Sequence, residues 1–173
     1  MGNGIAKIYA VMVFSDLLNT RAGMLNKGIK VRDSMNLVDS FIKHGIVVTA
    51  YKDKGEELRH RWEREFTKGI SRSVKSSIYF NEYLWHVFSY QKLPGFTNNE
   101  AVNAFENEQK HDCYVFYQRS DAAYFLDNAE GLTAGDFINE QDVYIVDTGF
   151  KWTYVKTHES DCGPYFYKST LRR

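Results

Sequence analysis

Asp142-Val143-Tyr144-Ile145-Val146-Asp147, followed by Lys151-Trp152-Thr153-Tyr154-Val155-Lys156, decides the fold. Both runs are β-branched and aromatic, and Asp147-Thr148-Gly149 between them favours a turn, so together they read as a β-hairpin. The chain then places His158, Glu159, Asp161 and Cys162 in one loop before Gly163-Pro164-Tyr165-Phe166. Nowhere else do so many chemically capable side chains fall at short range. Residues 165–168 read as a further short strand. Upstream, residues 113–119 and 122–126 flank Ser120-Asp121 as a second hairpin. Strands that follow one another through short turns predict an antiparallel sheet.

Helical patterns surround these strands. Ser34 can cap a helix over residues 35–44, where Leu37, Val38, Phe41 and Ile42 fall at helical spacing and Gly45 supplies the stop. Residues 46–51 read as a strand. Over residues 54–68, Leu58, Trp62 and Phe66 recur every four positions and define one buried stripe. Residues 71–77 read as a polar connector, and Asn98 or Asn99 can cap a helix over residues 100–110. Residues 78–90 fit two patterns. Tyr83, Trp85 and Val87 alternate as in a strand, while Leu84, Val87 and Phe88 fit a helical stripe; the aromatic and β-branched content favours a buried strand. The expected fold is α+β: a mainly antiparallel sheet of about five to six strands with two or three helices packed on one face.

Residues 1–34 read as an N-terminal helical appendage or extension, and residues 35–173 as a single α+β domain. The apolar run from Ile5 to Phe14 is shorter than the roughly 20 residues a bilayer span needs. It also lacks the basic flank and small-residue cleavage pattern of a signal peptide. It reads as an amphipathic helix that docks on the domain or pairs with a second copy, giving a homodimer. Cys113 and Cys162 read as free thiols, and the expected compartment is cytoplasmic.

At 173 residues the chain suits one core. Apolar residues at 43 % and charged residues at 25 % exclude wholesale disorder. Aromatic residues reach 16 %, and most follow residue 78. Formal net charge is zero, so the chain as a whole exerts no pull on nucleic acid. Its distribution is uneven: residues 1–79 hold 14 Lys/Arg against 8 Asp/Glu, and residues 80–173 hold the reverse. Arg59, Arg64, Lys68, Arg72 and Lys75 form the main basic concentration, which reads as a solvated helix face. The aromatics lie in the acidic half, which argues against stacking on single-stranded nucleic acid.

Four aromatic motifs occur in order: Ile78-Tyr79-Phe80 with Tyr83-Leu84-Trp85-His86-Val87-Phe88-Ser89-Tyr90, then Cys113-Tyr114-Val115-Phe116-Tyr117-Gln118, then Trp152-Thr153-Tyr154-Val155-Lys156-Thr157-His158-Glu159, then Gly163-Pro164-Tyr165-Phe166. Over residues 35–168 this series resembles a domain-of-unknown-function family of Gram-positive, Bacillus-type bacteria and their phages. The first 34 residues depart from that pattern. The resemblance implies no mechanism.

Three chemistries can be weighed on the residues themselves. His111-x-Cys113 and His158-x3-Cys162 are weak metal candidates, because neither pair carries the C-x2-C knuckle of strong zinc sites. The expected metal and cofactor content is none. A hydrolase or nuclease would use His158, Glu159 and His86, with Asp142 or Asp161. Against it, His158 and Glu159 are adjacent and face opposite ways on an extended strand, and His86 in its apolar run reads as a core histidine. No nucleophile elbow, phosphate loop or H-E-x-x-H motif is present. The favoured expectation is a non-enzymatic protein-binding module, of immunity type or a phage anti-defence inhibitor, acting through an aromatic sheet face. Its contact residues would be Tyr117, Tyr124, Trp152, Tyr154 and Tyr165. The partner would be another protein, with no membrane and no nucleic acid involved.

Overall fold

A computed structural model describes residues 32–169, with side chains from Leu37 onward. The chain divides into two compact units, Met1–Val38 and Asp39–Arg173. The expected helix over residues 5–14, and any pairing through it, lie outside the described residues. In chain order the elements are α1 (Arg32–Lys43), β1 (Val47–Ala50), α2 (Gly55–Phe66), α3 (Arg72–Ser77), α4 (His86–Ser89), β2 (Phe96–Thr97), α5 (Asn98–Glu106), β3 (Cys113–Tyr117), β4 (Ala123–Asp127), β5 (Val143–Asp147), β6 (Trp152–Lys156) and β7 (Tyr165–Lys168). Two 3-10 turns, Ala129–Gly131 and Ala134–Phe137, shape the irregular stretch before β5. No helix among the described residues is long and apolar enough to cross a membrane.

The class is α+β, as the sequence predicts. Seven strands form one antiparallel sheet in the order β1-β4-β3-β5-β6-β7-β2, slightly more than the expected five to six. The decisive hairpin forms between β5 and β6, with Val143 opposite Lys156 and Val146 opposite Thr153. Asp147 sets its turn: one carboxylate oxygen accepts from the amide of Trp152 at 2.9 Å, the other from Gly149 at 3.1 Å.

Alternation along the strands sends side chains to two faces, and both are covered. On one face, Leu58, Trp62 and Phe66 of α2 join Val87 and Phe88 of α4 over Phe116, Tyr144, Val146, Val155 and Tyr165. Trp62 is fully buried, and its indole N–H donates to the Thr153 hydroxyl at 2.9 Å, which removes the cost of an unpartnered polar group there. On the other face, Phe105 of α5 stacks on Tyr154 with centroids 4.3 Å apart and meets Trp152 and Phe137 edge-on. Phe41 of α1 extends that layer onto Phe137 at 5.8 Å. The expected helices on one face are present, and a second helical layer closes the other.

Several local expectations change. Residues 78–90 hold no strand; they turn and then form the short helix α4. The helical stripe prevails because Leu84, Val87 and Phe88 all enter the core together. The connector at 71–77 is helical, its start capped by the Ser71 hydroxyl, which accepts from the Val74 amide at 3.3 Å. Helix α1 begins at Arg32, so Ser34 lies inside it. Helix α5 stops at Glu106, and buried Lys110 folds back to donate to the carbonyls of Phe105 (2.7 Å), Glu106 (3.3 Å) and Glu108 (3.1 Å). That amine takes the place of water at an otherwise open helix end.

Candidate functional site

Antiparallel register decides which side chains can meet. Tyr117 at the end of β3 stands opposite Val143 at the start of β5, and Val143 stands opposite Lys156 at the end of β6. The residues just beyond these positions, Arg119, Asp142 and His158, therefore emerge at the same end of three neighbouring strands. Residues 78–90 fold over that end.

Asp142 is the hub. Its Oδ1 accepts from His158 Nδ1 at 2.9 Å, from the His158 amide at 3.2 Å and from the Trp85 indole N–H at 3.0 Å. Its carboxylate is largely enclosed, with 17 % of the side chain exposed, while His158 keeps 32 %. Bonding through Nδ1 leaves Nε2 of His158 turned outward, 3.7 Å from Glu159 Oε1. The chain bends at this point, so the adjacent pair does not project to opposite sides as an extended strand would require. Thr157 holds the bend: its hydroxyl approaches the carbonyls of Glu159 at 3.0 Å and of Cys162.

Aromatic rings frame the pair. Tyr83 lies 5.1 Å from the His158 ring and Trp85 lies 5.9 Å from it. His86 packs edge-on against Trp85 at 4.5 Å, 5.4 Å from Tyr83 and 5.6 Å from Tyr90. Its Nδ1 is 2.8 Å from the Ile78 carbonyl and 3.1 Å from that of Tyr79. His86 is half-buried and hydrogen-bonded at the edge of the core rather than inside it. Arg119 covers the far side of Tyr83, its guanidinium carbon 4.9 Å from the ring centre. Nearby, Lys156 donates to the Glu140 carbonyl at 2.5 Å, and burial holds its amine below the usual lysine range. Of the residues that sequence reading singled out, the fold joins Asp142, His158 and Glu159 directly, whereas His86 only shares the neighbours Trp85 and Tyr83 with His158. Sequence reading missed Tyr83, Trp85 and Arg119 as their neighbours, since only the packing of residues 78–90 over the strand ends joins them.

The expected contact residues sit elsewhere. Trp152, Tyr154 and Tyr165 retain only 3 %, 2 % and 4 % of their surface, so they are core residues and form no open face. Tyr117 and Tyr124 are half-buried, and the Tyr117 hydroxyl is committed to Glu140 at 2.8 Å. Burial raises the hydroxyls of Tyr117, Tyr124, Tyr144 and Tyr154, and that of Tyr165 up to about 12. For Trp152 and Tyr154 the physical reason is the second layer of helices, whose Phe105 covers them, while Tyr165 lies on the other face under Phe88. Large apolar side chains do reach solvent at Tyr79 (64 %) and Tyr90 (45 %), both beside His86.

The weak metal candidates do not converge. His111 lies 3.6 Å from Glu130, Cys113 is buried in β3, and His158 is bonded to Asp142. Among the described residues no three His, Cys, Asp or Glu side chains gather to hold an ion. Burial pushes the Cys113 thiol up to about 12, so it stays protonated. Cys162 is raised too, chiefly by its hydrogen bond with Glu159. Two hollows lie on α2 and its flank, one of about 410 Å³ between Asp53, Glu57, His60 and Arg64, the other of about 390 Å³ reaching Lys68 and Lys75. Both mix charges of either sign and open widely to solvent.

The match with known families covers residues 35–166, and the chain belongs to DUF4275, a domain of unknown function. No curated protein and no solved structure matches it.

Proposed function

We propose that this DUF4275 domain is a protein-binding module whose contact surface is the ring series Tyr90, His86, Tyr83 and His158, with Tyr79 at its border. One observation carries the reading. Among the described residues three rings stay widely exposed, and two of them, Tyr79 (64 %) and Tyr90 (45 %), lie beside an array of further rings, the third being Phe96 (53 %) on β2. Tyrosine offers a partner large contact area at low conformational cost, and such residues dominate the energetics of interfaces. The expected aromatic sheet face is thereby replaced by the end of the sheet. A partner that is masked by binding, as with an immunity-type or phage anti-defence inhibitor, suits a small domain that acts by contact. Affinity capture with tagged protein tests the reading: one stoichiometric partner should be recovered and lost with Tyr79→Ala/Tyr90→Ala. Retention by that variant would refute it.

A second reading follows from the 2.9 Å bond between His158 Nδ1 and Asp142. An oriented imidazole with its other nitrogen turned outward is equipped for general acid–base catalysis, as a small hydrolase or nuclease using His158, Glu159 and His86 would need. The exposed Tyr79 and Tyr90 rings beside His86 favour the contact reading, since such rings serve a macromolecular surface. Turnover of ester or RNA probes that disappears with His158→Ala would reverse the order of the two readings.

A further inference from the structure

The ring surface already holds a cation in place. A guanidinium nitrogen of Arg119 donates to the Tyr83 hydroxyl at 3.1 Å and lies 3.6 Å from Glu82, with the guanidinium carbon 4.9 Å from the ring centre. Both Arg119 and Glu82 keep 65 % of their side chains exposed, so ring and carboxylate retain the cation without enclosing it. A planar guanidinium suits this combination of aromatic face and carboxylate better than an ammonium does. The ring series runs past Tyr83 in both directions to exposed groups that hold no cation. Tyr90 presents its ring on one side. On the other, Glu159 is 49 % exposed, beside His158 and hydrogen-bonded with Cys162, and Asp161 follows it in the chain. Among the described residues neither carboxylate has a lysine or arginine within ion-pair distance.

We propose that the partner bound here presents an arginine-bearing basic segment, its guanidinium groups repeating along Tyr90 and Glu159 what Arg119 does at Tyr83 and Glu82. This rests on the contact reading above and adds the chemistry of the partner. Charge complementarity selects that occupant, and the acidic border repels a nucleic-acid backbone.

The full chain, labelled with nitrogen-15, is titrated with an Arg-Gly repeat octapeptide at low salt, with Lys-Gly and Glu-Gly octapeptides as comparisons. The Arg-Gly peptide should shift the Trp85 indole N–H and the His158 amide saturably, leaving the indoles of Trp62 and Trp152 in place. Lys-Gly should bind more weakly and Glu-Gly should leave the spectrum unchanged. Glu159→Gln/Asp161→Asn should weaken the Arg-Gly peptide about tenfold, and Tyr90→Ala about two- to fivefold, as an exposed cation–π contact implies. Glu56→Gln/Glu57→Gln on α2 should have no effect. A motionless Trp85 signal, or equal weakening by the α2 variant, overturns the proposal. If partner capture nonetheless depends on Tyr79 and Tyr90, the contact reading survives and only the basic partner falls. If capture is also unaffected, both fall.

Discussion

Trp152→Ala separates the two roles this side chain could have. The indole keeps 3 % of its surface, meets Phe105 at 5.9 Å and stacks on Phe166 at 6.1 Å. A buried aromatic side chain removes about 150–250 Å² from water, which at about 25 cal/mol per Å² gives an upper bound of about 4–6 kcal/mol. Truncations of this kind in cores cost about 3–5 kcal/mol because the cavity collapses only in part. For a chain of this size each kcal/mol lowers Tm by about 2–4 °C, so the midpoint should fall by about 6–20 °C. Urea denaturation followed by the fluorescence of the remaining tryptophans measures the loss directly. Tyr90→Ala is the companion variant: exposed, it should stay within about 0.5 kcal/mol of the parent. A Trp152→Ala protein less than about 1 kcal/mol below the parent would refute the account of a two-faced core and restore Trp152 as a surface residue.

Three further outcomes are expected. Thr153→Val leaves the buried Trp62 indole N–H without its acceptor and should cost about 1–3 kcal/mol at an unchanged urea m-value. Gly55→Ala would set a Cβ 2.6 Å from the Ser120 carbonyl oxygen and 2.7 Å from Asp121 Cα, so it should destabilise by about 1–3 kcal/mol in the same assay. The third concerns alkaline stability. Cys113 has its thiol raised from 9.0 to about 12 in the fold, first by burial and then by Asp147, so above pH 9 the unfolded chain releases a proton that the native chain keeps. Stability therefore falls as pH rises from 9 toward about 12, by at most about 1.4 kcal/mol per unit from this group, and Cys113→Ala should show a shallower slope in urea midpoints taken from pH 8 to 10.5.

The β5–β6 hairpin was legible because its signals agree: β-branched and aromatic strands, and an Asp-Thr-Gly turn whose carboxylate caps the returning amides. Helix α2 was equally plain from its four-residue stripe. Residues 78–90 were not, because strand and helix patterns share Val87, and the outcome depends on a core into which Leu84, Val87 and Phe88 point together. At the site, the individual candidates could be read from residue type, yet the bend that unites His158 with Glu159 depends on Thr157 bonding two carbonyls downstream. Nothing in the spacing of these residues announces that closure. Tyr154 illustrates the opposite error: its polar tip and strand position suggested a wet face, and only tertiary packing supplies the Phe105 ring that covers it.

Covering both faces of the sheet has a functional consequence. Once Trp62 and Phe88 fill one side and Phe105 and Phe137 the other, neither broad face can present residues to a partner. What remains are strand ends, edges and the outer surfaces of helices. At the end where β3, β5 and β6 meet, antiparallel pairing collects residues from three separate segments, and residues 78–90 add rings from a fourth. Asp142 fastens these pieces, taking hydrogen bonds from Trp85 of the covering segment and from His158 of the loop. The array is thus held by the core itself, so its rings need little ordering when a partner arrives, and less binding energy is spent on immobilisation. By the same reasoning Asp142→Ala should disturb the whole surface while Glu159→Gln disturbs only its charge. That difference separates the carboxylate that builds the site from the one placed to meet a ligand.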